Sequence, residues 1–297
     1  MGQLAGIDIG RVGIWYGMID ALPTREAQRA AGLVEELGFG ALWVAEAVGR
    51  DPFVQSANLL AATERLVLAT GIANIYARDP MTTNAAARTL TESSDNRFLL
   101  GLGVSHKHLV SNLRSHDYSK PYSYMVEYLS KMDDSLFMAV GPEERTPRVL
   151  AALGPKMLAL SADQAEGAHP YFTTPEHTKT ARETMGPDAL LAPEQMVVLE
   201  TDPDEARRIA RAGMAVYLRA PNYLNNLKRL GFGDDDLADG GSDALVDAIV
   251  AWGTPDRIAE RVAQHHDAGA DHVCVQVLQD GMDLPDSQFR SLADVLL

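Results

Sequence analysis

Residues 24–45, TREAQRAAGLVEELGFGALWVA, contain one complete step of the pattern that decides the fold. Thr24 can cap the start of a helix, and Gly38 can end it in a left-handed conformation. A short apolar strand, residues 41–45, follows almost at once. The helix between these signals has small and apolar residues at the 3.6-residue spacing of one buried face: Ala27, Ala30, Ala31, Val34 and Leu37.

The same alternation of apolar strand and amphipathic helix runs along the whole chain, which is typical of parallel βαβ units. The sequence therefore predicts an α/β fold, a (β/α)8 TIM barrel in a single domain over residues 1–297, and a doubly wound open sheet is the competing architecture. An insertion over about residues 217–250 is expected between strands 7 and 8. The predicted strands are Val12–Tyr16, Ala41–Ala45, Leu66–Ala73, Phe98–Val104, Arg148–Leu153, Gly167–Phe172, Gln195–Glu200 and His272–Val277.

Five predicted helices begin with the same device, a capping side chain followed by proline at the first helical position. Such a pair marks a helix start well because proline has a suitable φ and lacks the amide that would be left unpaired there. The pairs are Asp51-Pro52, Asp79-Pro80, Thr174-Pro175, Asp202-Pro203 and Thr254-Pro255.

Composition narrows the function classes. The chain has 297 residues and a formal net charge of −15, which argues against nucleic acid as a partner because phosphate backbones need a basic surface. No apolar run approaches the roughly 18 residues of a membrane span, and the first residues lack the basic and apolar regions of a signal peptide. Cys274 is the single cysteine, so no intramolecular disulfide can form. These features predict a cytoplasmic enzyme without a membrane partner.

Two strand ends have the composition of an anion site. Gly103 ends a strand and is followed by Ser105, His106 and Lys107. In the segment Ala151–Met157, AALGPKM, Gly154 and Lys156 flank a proline that can start a helix, and helix N-termini favour phosphate. The alternative for both segments is a tight turn with no ligand.

Metal-site motifs are not favoured. His106 and His108 have no carboxylate or cysteine neighbour at ligand spacing, so we expect no metal there.

Several segments of the chain together are similar to those of a known protein family. It resembles the bacterial luciferase-like superfamily, and within it the branch of coenzyme F420-dependent oxidoreductases. The segments that carry the resemblance, in order, are LGFGALWVAEAVGRDPF, LATGIANIYARDP, RFLLGLGVSHKHLV, AALGPKMLALSAD, GAHPYFTTPEHT, PNYLNNLKRLGFG and WGTPDRIAERV.

The resemblance implies a deazaflavin lying across the carboxyl ends of the strands, and it also implies a homodimer. It places a β-bulge and a non-proline cis peptide at the end of strand three, by position Gly71–Ile72. The expected contacts to the cofactor ring are the backbone of Gly71 and Ile72, the amide of Asn74, and Glu46. The expected phosphate contacts lie at Gly103, Ser105, His106, Lys107, Gly154 and Lys156.

Catalytic residues are harder to transfer from the resemblance. Sugar-phosphate dehydrogenases of the superfamily have a histidine after the acid of strand two and a glutamate after strand four; here those positions are Ala47 and Val104. Glu46, His106 and His169 remain the catalytic candidates, with either histidine as proton donor. In the alternative interpretation His106 contacts phosphate alone and His169 is structural. The expected substrate pocket is formed by Trp15, Tyr223 and Asn226.

The charge of −15 conflicts with a strongly anionic cofactor, so local cations must hold its tail. Four cations that follow strand ends are candidates: Arg50, Arg78, Lys107 and Lys156. We expect an F420-dependent oxidoreductase acting on a small organic molecule. An FMN-dependent monooxygenase is the alternative, and a non-catalytic flavin-binding barrel is a second one.

Overall fold

The computed structural model describes residue 4 and residues 6–297. The strands in this part are β1 Val12–Trp15, β2 Ala41–Val44, β3 Val67–Thr70, β4 Ala73–Asn74, β5 Phe98–Gly103, β6 Arg148–Leu150, β7 Gly167–Ala168, β8 Leu190–Leu191, β9 Glu194–Val198, β10 Val250–Trp252 and β11 Val273–Val277. The α-helices are α1 Thr24–Leu37, α2 Pro52–Leu60, α3 Pro80–Ser93, α4 Pro121–Asp133, α5 Pro155–Gln164, α6 Pro175–Met185, α7 Pro203–Met214, α8 Pro221–Arg229, α9 Asp234–Leu237, α10 Asp243–Ile249, α11 Pro255–Asp267 and α12 Asp286–Leu296. Short 3-10 turns, Gly17–Ala21 and Tyr217–Arg219, and a π-helix, His108–Leu113, complete the order.

The strands form a parallel barrel. The hydrogen-bonded order is β10-β9-β11-β1-β2-β3-β5-β6-β7-β8. Strands β8 and β9 are two parts of one segment, residues 190–198, whose first part pairs with β7 and whose second part pairs with β11. The two ends of the path therefore meet in one segment. The predicted TIM barrel is confirmed, and the competing open sheet is not.

The helix starts follow the sequence pattern in all five Asp/Thr-Pro cases, because each capping side chain accepts a first-turn amide hydrogen bond. Gly38 ends α1 with a φ of +95°, as predicted. The expectation for Thr24 was wrong. Pro23 occupies the cap position and Thr24 is already the first helical residue, so its hydroxyl makes no capping bond.

Two apolar layers follow from the alternation of side chains along each strand. Side chains such as Trp15, Trp43 and Leu99 fill the barrel interior. Their strand neighbours, such as Ile14 and Leu42, pack outward under the helices. No helix among the described residues combines the length and apolar character needed to cross a bilayer.

The insertion lies between the seventh and eighth barrel strands, as predicted. Residues 217–249 form the second 3-10 turn, α8, α9 and α10, and they lead directly into β10, which pairs with β9. The sequence did not predict β10, because it is three residues long and follows a helix without a turn signal. Tyr223 and Leu227 of α8 pack on Phe172, beside the carboxyl end of β7.

Candidate functional site

The third barrel strand ends in an irregular segment. Ala69 pairs with Leu99 and Ala73 pairs with Leu102, so β3 and β4 contain one more residue than the matching stretch of β5. This extra residue is a β-bulge. The Gly71–Ile72 peptide bond in it is cis, as the resemblance implied.

Gly71 faces two aromatic side chains of the barrel interior. The indole Nε1 of Trp15 donates a hydrogen bond to the Gly71 carbonyl oxygen at 3.1 Å. A Cβ at position 71 would lie 2.7 Å from that Nε1 and 3.1 Å from Nε2 of His169. Because real Cβ atoms do not approach polar side chains so closely, only glycine fits here.

Glu46 organises the neighbouring loop. Its side chain is 5% exposed; its carboxylate accepts the Asn74 backbone N–H at 2.8 Å and pairs with both terminal nitrogens of Arg78, at 2.8 and 2.9 Å. Arg114 lies 3.8 Å away. A cleft of about 370 Å³ opens beside these groups. Glu46 is thus held in an ion pair at the edge of the strand-three loop.

Two of the four cations expected to hold an anionic tail are engaged within the protein. Arg78 pairs with Glu46 and Asp51, while the Arg50 guanidinium donates to the Gln55 side chain and the Leu22 carbonyl. Carboxylates and carbonyls from other segments therefore already occupy donors of Arg50 and Arg78.

The other two cations, Lys107 and Lys156, are exposed and form no ion pair within residues 6–297. They lie after Gly103 and Gly154, at the two strand ends that the sequence indicated as anion sites.

The segment after β5 is joined to the insertion. Nδ1 of His106 lies 3.2 Å from Oδ1 of Asn222, the second residue of α8, and its ring lies 5.5 Å from that of Tyr223. Burial lowers the pKa of His106. Ser105 has a φ of +56°, and its carbonyl accepts the Tyr118 hydroxyl at 2.9 Å. This segment is therefore shaped by contacts with two other loops.

His169 is 1% exposed and stacks on Trp43, with ring centroids 4.3 Å apart. Its Nδ1–H donates to the Ala192 carbonyl at 2.8 Å. Burial lowers its pKa to about 4, so the ring is neutral at neutral pH and Nε2 carries no proton. This geometry favours the structural interpretation of His169 over a role as proton donor.

The start of α5 gathers donors from the insertion. Gly154 has no side chain to cap the helix. Nη2 of Arg229 lies 3.7 Å from the position that a Cβ of Gly154 would take, and it also donates to Oδ1 of Asn226 at 3.1 Å. Asn226 is 1% exposed, and its Nδ2 has no hydrogen-bond partner among the described residues. A helix N-terminus, a guanidinium and a free amide therefore meet at one place.

Five aromatic residues, here called the aromatic cluster, connect the strand ends to the insertion. Tyr171 packs on Trp15 at 5.0 Å and on Tyr217 at 5.1 Å, and Tyr223 contacts Phe172 at 5.3 Å. The cluster consists of Trp15, Tyr171, Phe172, Tyr217 and Tyr223. It includes two residues expected in the substrate pocket, Trp15 and Tyr223, while Asn226 follows one turn later on α8.

Glu194 was missed by the sequence reasoning. It begins β9 and is 1% exposed, and its Oε2 accepts the Phe172 backbone N–H at 3.1 Å. Its signal in the sequence is weak, a single glutamate between Pro193 and an apolar strand. Burial raises its pKa to about 8.

Comparison with known proteins places the chain in a family. A putative coenzyme F420-dependent oxidoreductase of Mycobacterium tuberculosis is 28% identical over 195 residues, which is 56% of each chain, so the match spans little more than half of that relative. Solved structures of other proteins share the fold. An F420-dependent secondary alcohol dehydrogenase in complex with an F420–acetone adduct has a TM-score of 0.78 and 13% identity, over 96% of this chain and 97% of that one.

The second solved structure is the oxygenating constituent of 3,6-diketocamphane monooxygenase from Pseudomonas putida, in complex with FMN. It has a TM-score of 0.72 and 16% identity over 95% of both chains. The family model described as luciferase-like monooxygenase matches residues 16–272. The chain therefore belongs to the luciferase-like monooxygenase family.

Proposed function

We propose that the protein is an oxidoreductase that uses coenzyme F420 to transfer a hydride to or from a small organic substrate. The observation that points to a cofactor with a phosphate group is the group of anion donors at the start of α5, which lies at the same barrel mouth as the bulge at the end of β3. The F420-dependent relative and the F420-dependent structure of the same fold support this choice of cofactor.

The donors at α5 fit a phosphodiester. The helix N-terminus has a partial positive charge, and Arg229 adds a full one whose planar fork suits phosphate oxygens. The unpartnered Nδ2 of Asn226 is a buried donor, and a buried donor without an acceptor costs about 1–3 kcal/mol. An anion bound here would accept from it and remove that cost.

The net charge of −15 does not oppose this site. Charges farther away than about 8 Å are largely screened at physiological salt, so nearby cations decide the local potential. Lys107 and Lys156 are exposed cations that follow these strand ends, and Arg229 is an exposed cation from α8. They replace Arg50 and Arg78 as the proposed contacts to the anionic tail.

The ring would lie at the end of β3. Gly71, Ile72 and Asn74 would hold it through the bulge, and Glu46 would fix that loop through Arg78. When bound, the deazaflavin supplies the two-electron hydride chemistry, and the protein supplies position and electrostatics. The aromatic cluster offers an apolar wall for the substrate, with tyrosine hydroxyls as its polar groups.

A second candidate is an FMN-dependent monooxygenase. It is supported by the FMN-bound monooxygenase of the same fold. The donors at α5 would hold the FMN phosphate equally well, so the phosphate site does not separate the two functions.

Separate titrations of the apo protein with F420 and with FMN test the proposal. We expect F420 to bind more tightly than FMN. Arg229→Gln should weaken F420 binding at least tenfold, because a charge-assisted hydrogen bond contributes about 1.5–3 kcal/mol. Lys179→Gln, which removes an exposed charge from α6, should leave the affinity unchanged.

Two outcomes would reject the proposal. Binding of FMN alone would support the monooxygenase instead. Tight F420 binding without hydride exchange over a panel of alcohols, carbonyl compounds and imines would support the non-catalytic barrel.

A further inference from the structure

The cleft of about 370 Å³ beside Glu46 has a lining rich in arginine. It opens between the loops that follow β2 and β4. Its lining includes three guanidinium groups, those of Arg50, Arg78 and Arg114, and the carboxylates of Glu46 and Asp51. Its volume is that of a small-molecule site. The charged groups on its walls therefore decide what kind of molecule it can take.

Arg78 is engaged in holding the two carboxylates of the lining. Its terminal nitrogens donate to the two Glu46 oxygens at 2.8 and 2.9 Å, and its Nε donates to Oδ2 of Asp51 at 3.1 Å. The guanidinium also lies over the Phe53 ring, 5.0 Å from the centroid. Glu46 accepts the Asn74 N–H as well. Both carboxylates therefore have close donors within the protein.

Arg50 is held from behind its loop. Its Nη1 donates to Oε1 of Gln55 at 3.0 Å, and its Nη2 donates to the Leu22 carbonyl at 2.6 Å. Its backbone N–H donates to Oδ2 of Asp20 at 3.2 Å, so an acid lies beside it. The position of Arg50 is therefore fixed by contacts outside the cleft.

Arg114 differs from these two arginines because its donors are not engaged. Its Nη2 lies 3.8 Å from Oε1 of Glu46, which is beyond hydrogen-bond distance, and the guanidinium donates to no side chain or carbonyl in the described part of the chain. Its side chain is 35% exposed. A guanidinium has a planar fork of donors that matches the two oxygens of a carboxylate. Arg114 is therefore the group in the lining that can bind an anion.

The backbone around Arg114 presents this guanidinium from a defined point. Arg114 follows the last residue of the π-helix His108–Leu113. Across this helix end the His116 N–H donates to the carbonyl of the buried Val110 at 3.1 Å, and Ser115 has a φ of +57°. Helices of the π type are rare and frequently occur at functional sites.

The strand order indicates which molecule reaches the cleft. The proposed ring position lies at the ends of β3 and β4, and the proposed phosphate site follows β6. In the hydrogen-bonded order β2-β3-β5-β6, the loop after β2 lies on the other side of the ring position from the phosphate site. The coenzyme tail continues from the phosphate, away from the cleft. A group in the cleft therefore belongs to a molecule that lies against the ring.

We propose that the cleft binds the carboxylate of an organic acid substrate through Arg114, beside the coenzyme ring. This inference rests on the proposed function and names its substrate class. The cleft adjoins the proposed ring position, because Glu46 in its lining accepts the Asn74 N–H. The acids Glu46 and Asp51 oppose the second charge of a phosphate monoester, so the lining fits a monoanion.

Oxo acids and their neutral counterparts test the proposal in the coenzyme-loaded enzyme. Levulinate and methyl propyl ketone differ only in that a methyl group replaces the carboxylate, and pyruvate and acetone differ in the same way. With saturating reduced F420, we expect kcat/KM for an acid to exceed that for its ketone at least tenfold. Arg114→Gln should raise KM for the acid at least tenfold with kcat nearly unchanged, because a charge-assisted pair is lost, and it should leave KM for the ketone unchanged.

Two more variants separate the fork of donors from the charge. Arg114→Lys keeps the charge but loses the fork, so its KM for the acid should be intermediate. Arg25→Gln, which removes an exposed charge from α1, is the matched control and should behave as the wild type.

The same variants define the results that would overturn the proposal. Equal kcat/KM for acids and ketones, or an unchanged KM for the acid in Arg114→Gln, would do so. Arg114→Gln should also bind F420 with wild-type affinity. A weakened F420 affinity with an unchanged KM for the acid would assign the cleft to the glutamyl tail of the coenzyme instead.

Protection from phenylglyoxal gives a readout that needs no coenzyme. This reagent modifies accessible guanidinium groups, and peptide mass spectrometry locates each adduct. In the apo protein, levulinate should slow the modification of Arg114 and leave that of Arg25 unchanged, while methyl propyl ketone should protect neither. Equal modification of Arg114 with and without levulinate would overturn the proposal. If F420 did not bind, the titration would reject the proposed function, and protection of Arg114 would still support the carboxylate site.

Discussion

Replacing Glu194 by glutamine should change how stability depends on pH. The pKa of this carboxyl group is raised by burial from 4.5 to about 8 in the folded protein. Between these values the unfolded chain releases the proton and the folded chain keeps it. The free energy of unfolding therefore falls as pH rises, by about 1.4 kcal/mol for each pH unit. The stabilising contribution of the Glu194 proton is present at low pH and is lost as the pH rises toward the folded-state pKa.

The magnitude follows from that window. Between pH 5 and pH 8 the wild type should lose about 4 kcal/mol relative to Glu194→Gln. Buried neutral histidines work in the opposite direction, since the pKa of both His169 and His272 is lowered to about 4. Both proteins contain these histidines, so their contribution cancels in the difference.

Urea unfolding at several pH values between 5 and 8 measures the effect. The difference in unfolding free energy between variant and wild type should grow steadily in favour of the variant. Glu144→Gln should run parallel to the wild type, because this glutamate is exposed. If Glu194→Gln also ran parallel to the wild type, Glu194 would be ionised in the folded protein and the reasoning would fail.

Three further results are expected. Gly71→Ala should destabilise the fold by about 1–3 kcal/mol in thermal unfolding, because its Cβ would lie 2.7 Å from Nε1 of Trp15. The control is Gly32→Ala on α1, which should be neutral or stabilising because the space around its Cβ is open. Equal effects of the two variants would contradict this reasoning. Glu46→Gln should cost about 1–2 kcal/mol because Arg78 and the Asn74 N–H lose a charged acceptor while Arg78 keeps Asp51, and unchanged urea unfolding would speak against a buried pair. A tenfold rise in salt concentration should weaken F420 binding measured by fluorescence, whereas a salt-independent affinity would argue that cations do not hold the cofactor.

Much of the fold could be predicted because its signals are local. The five Asp/Thr-Pro helix starts and Gly38 act through their own backbone conformation and the next few amides. Strand and helix periods likewise depend on neighbours in the chain. The sequence did not predict the short strands β4, β8 and β10 as separate elements. Two or three residues are too few to show an alternating pattern, and they form strands only because they pair with neighbouring strands.

Parts of the candidate site could also be predicted from the sequence. The bulge and the cis Gly71–Ile72 bond lie where the resemblance placed them. The start of α5 was indicated by glycine and proline, yet its cation, Arg229, comes from the insertion 75 positions further along the chain. A contact over that separation leaves no local pattern.

The sequence by itself determined the barrel and its insertion, because those features follow from periodicity and backbone chemistry. Only the tertiary structure decided which titratable side chains are charged and which cations have no ion-pair partner. The Arg78 guanidinium is paired with the Glu46 carboxylate. The His169 ring donates its Nδ1–H to the Ala192 carbonyl and is neutral. Burial raises the pKa of the Glu194 carboxyl group, which therefore keeps its proton at neutral pH. The physical reason is that ion pairing and desolvation depend on what surrounds a group in space, and residues far apart in the chain supply those surroundings.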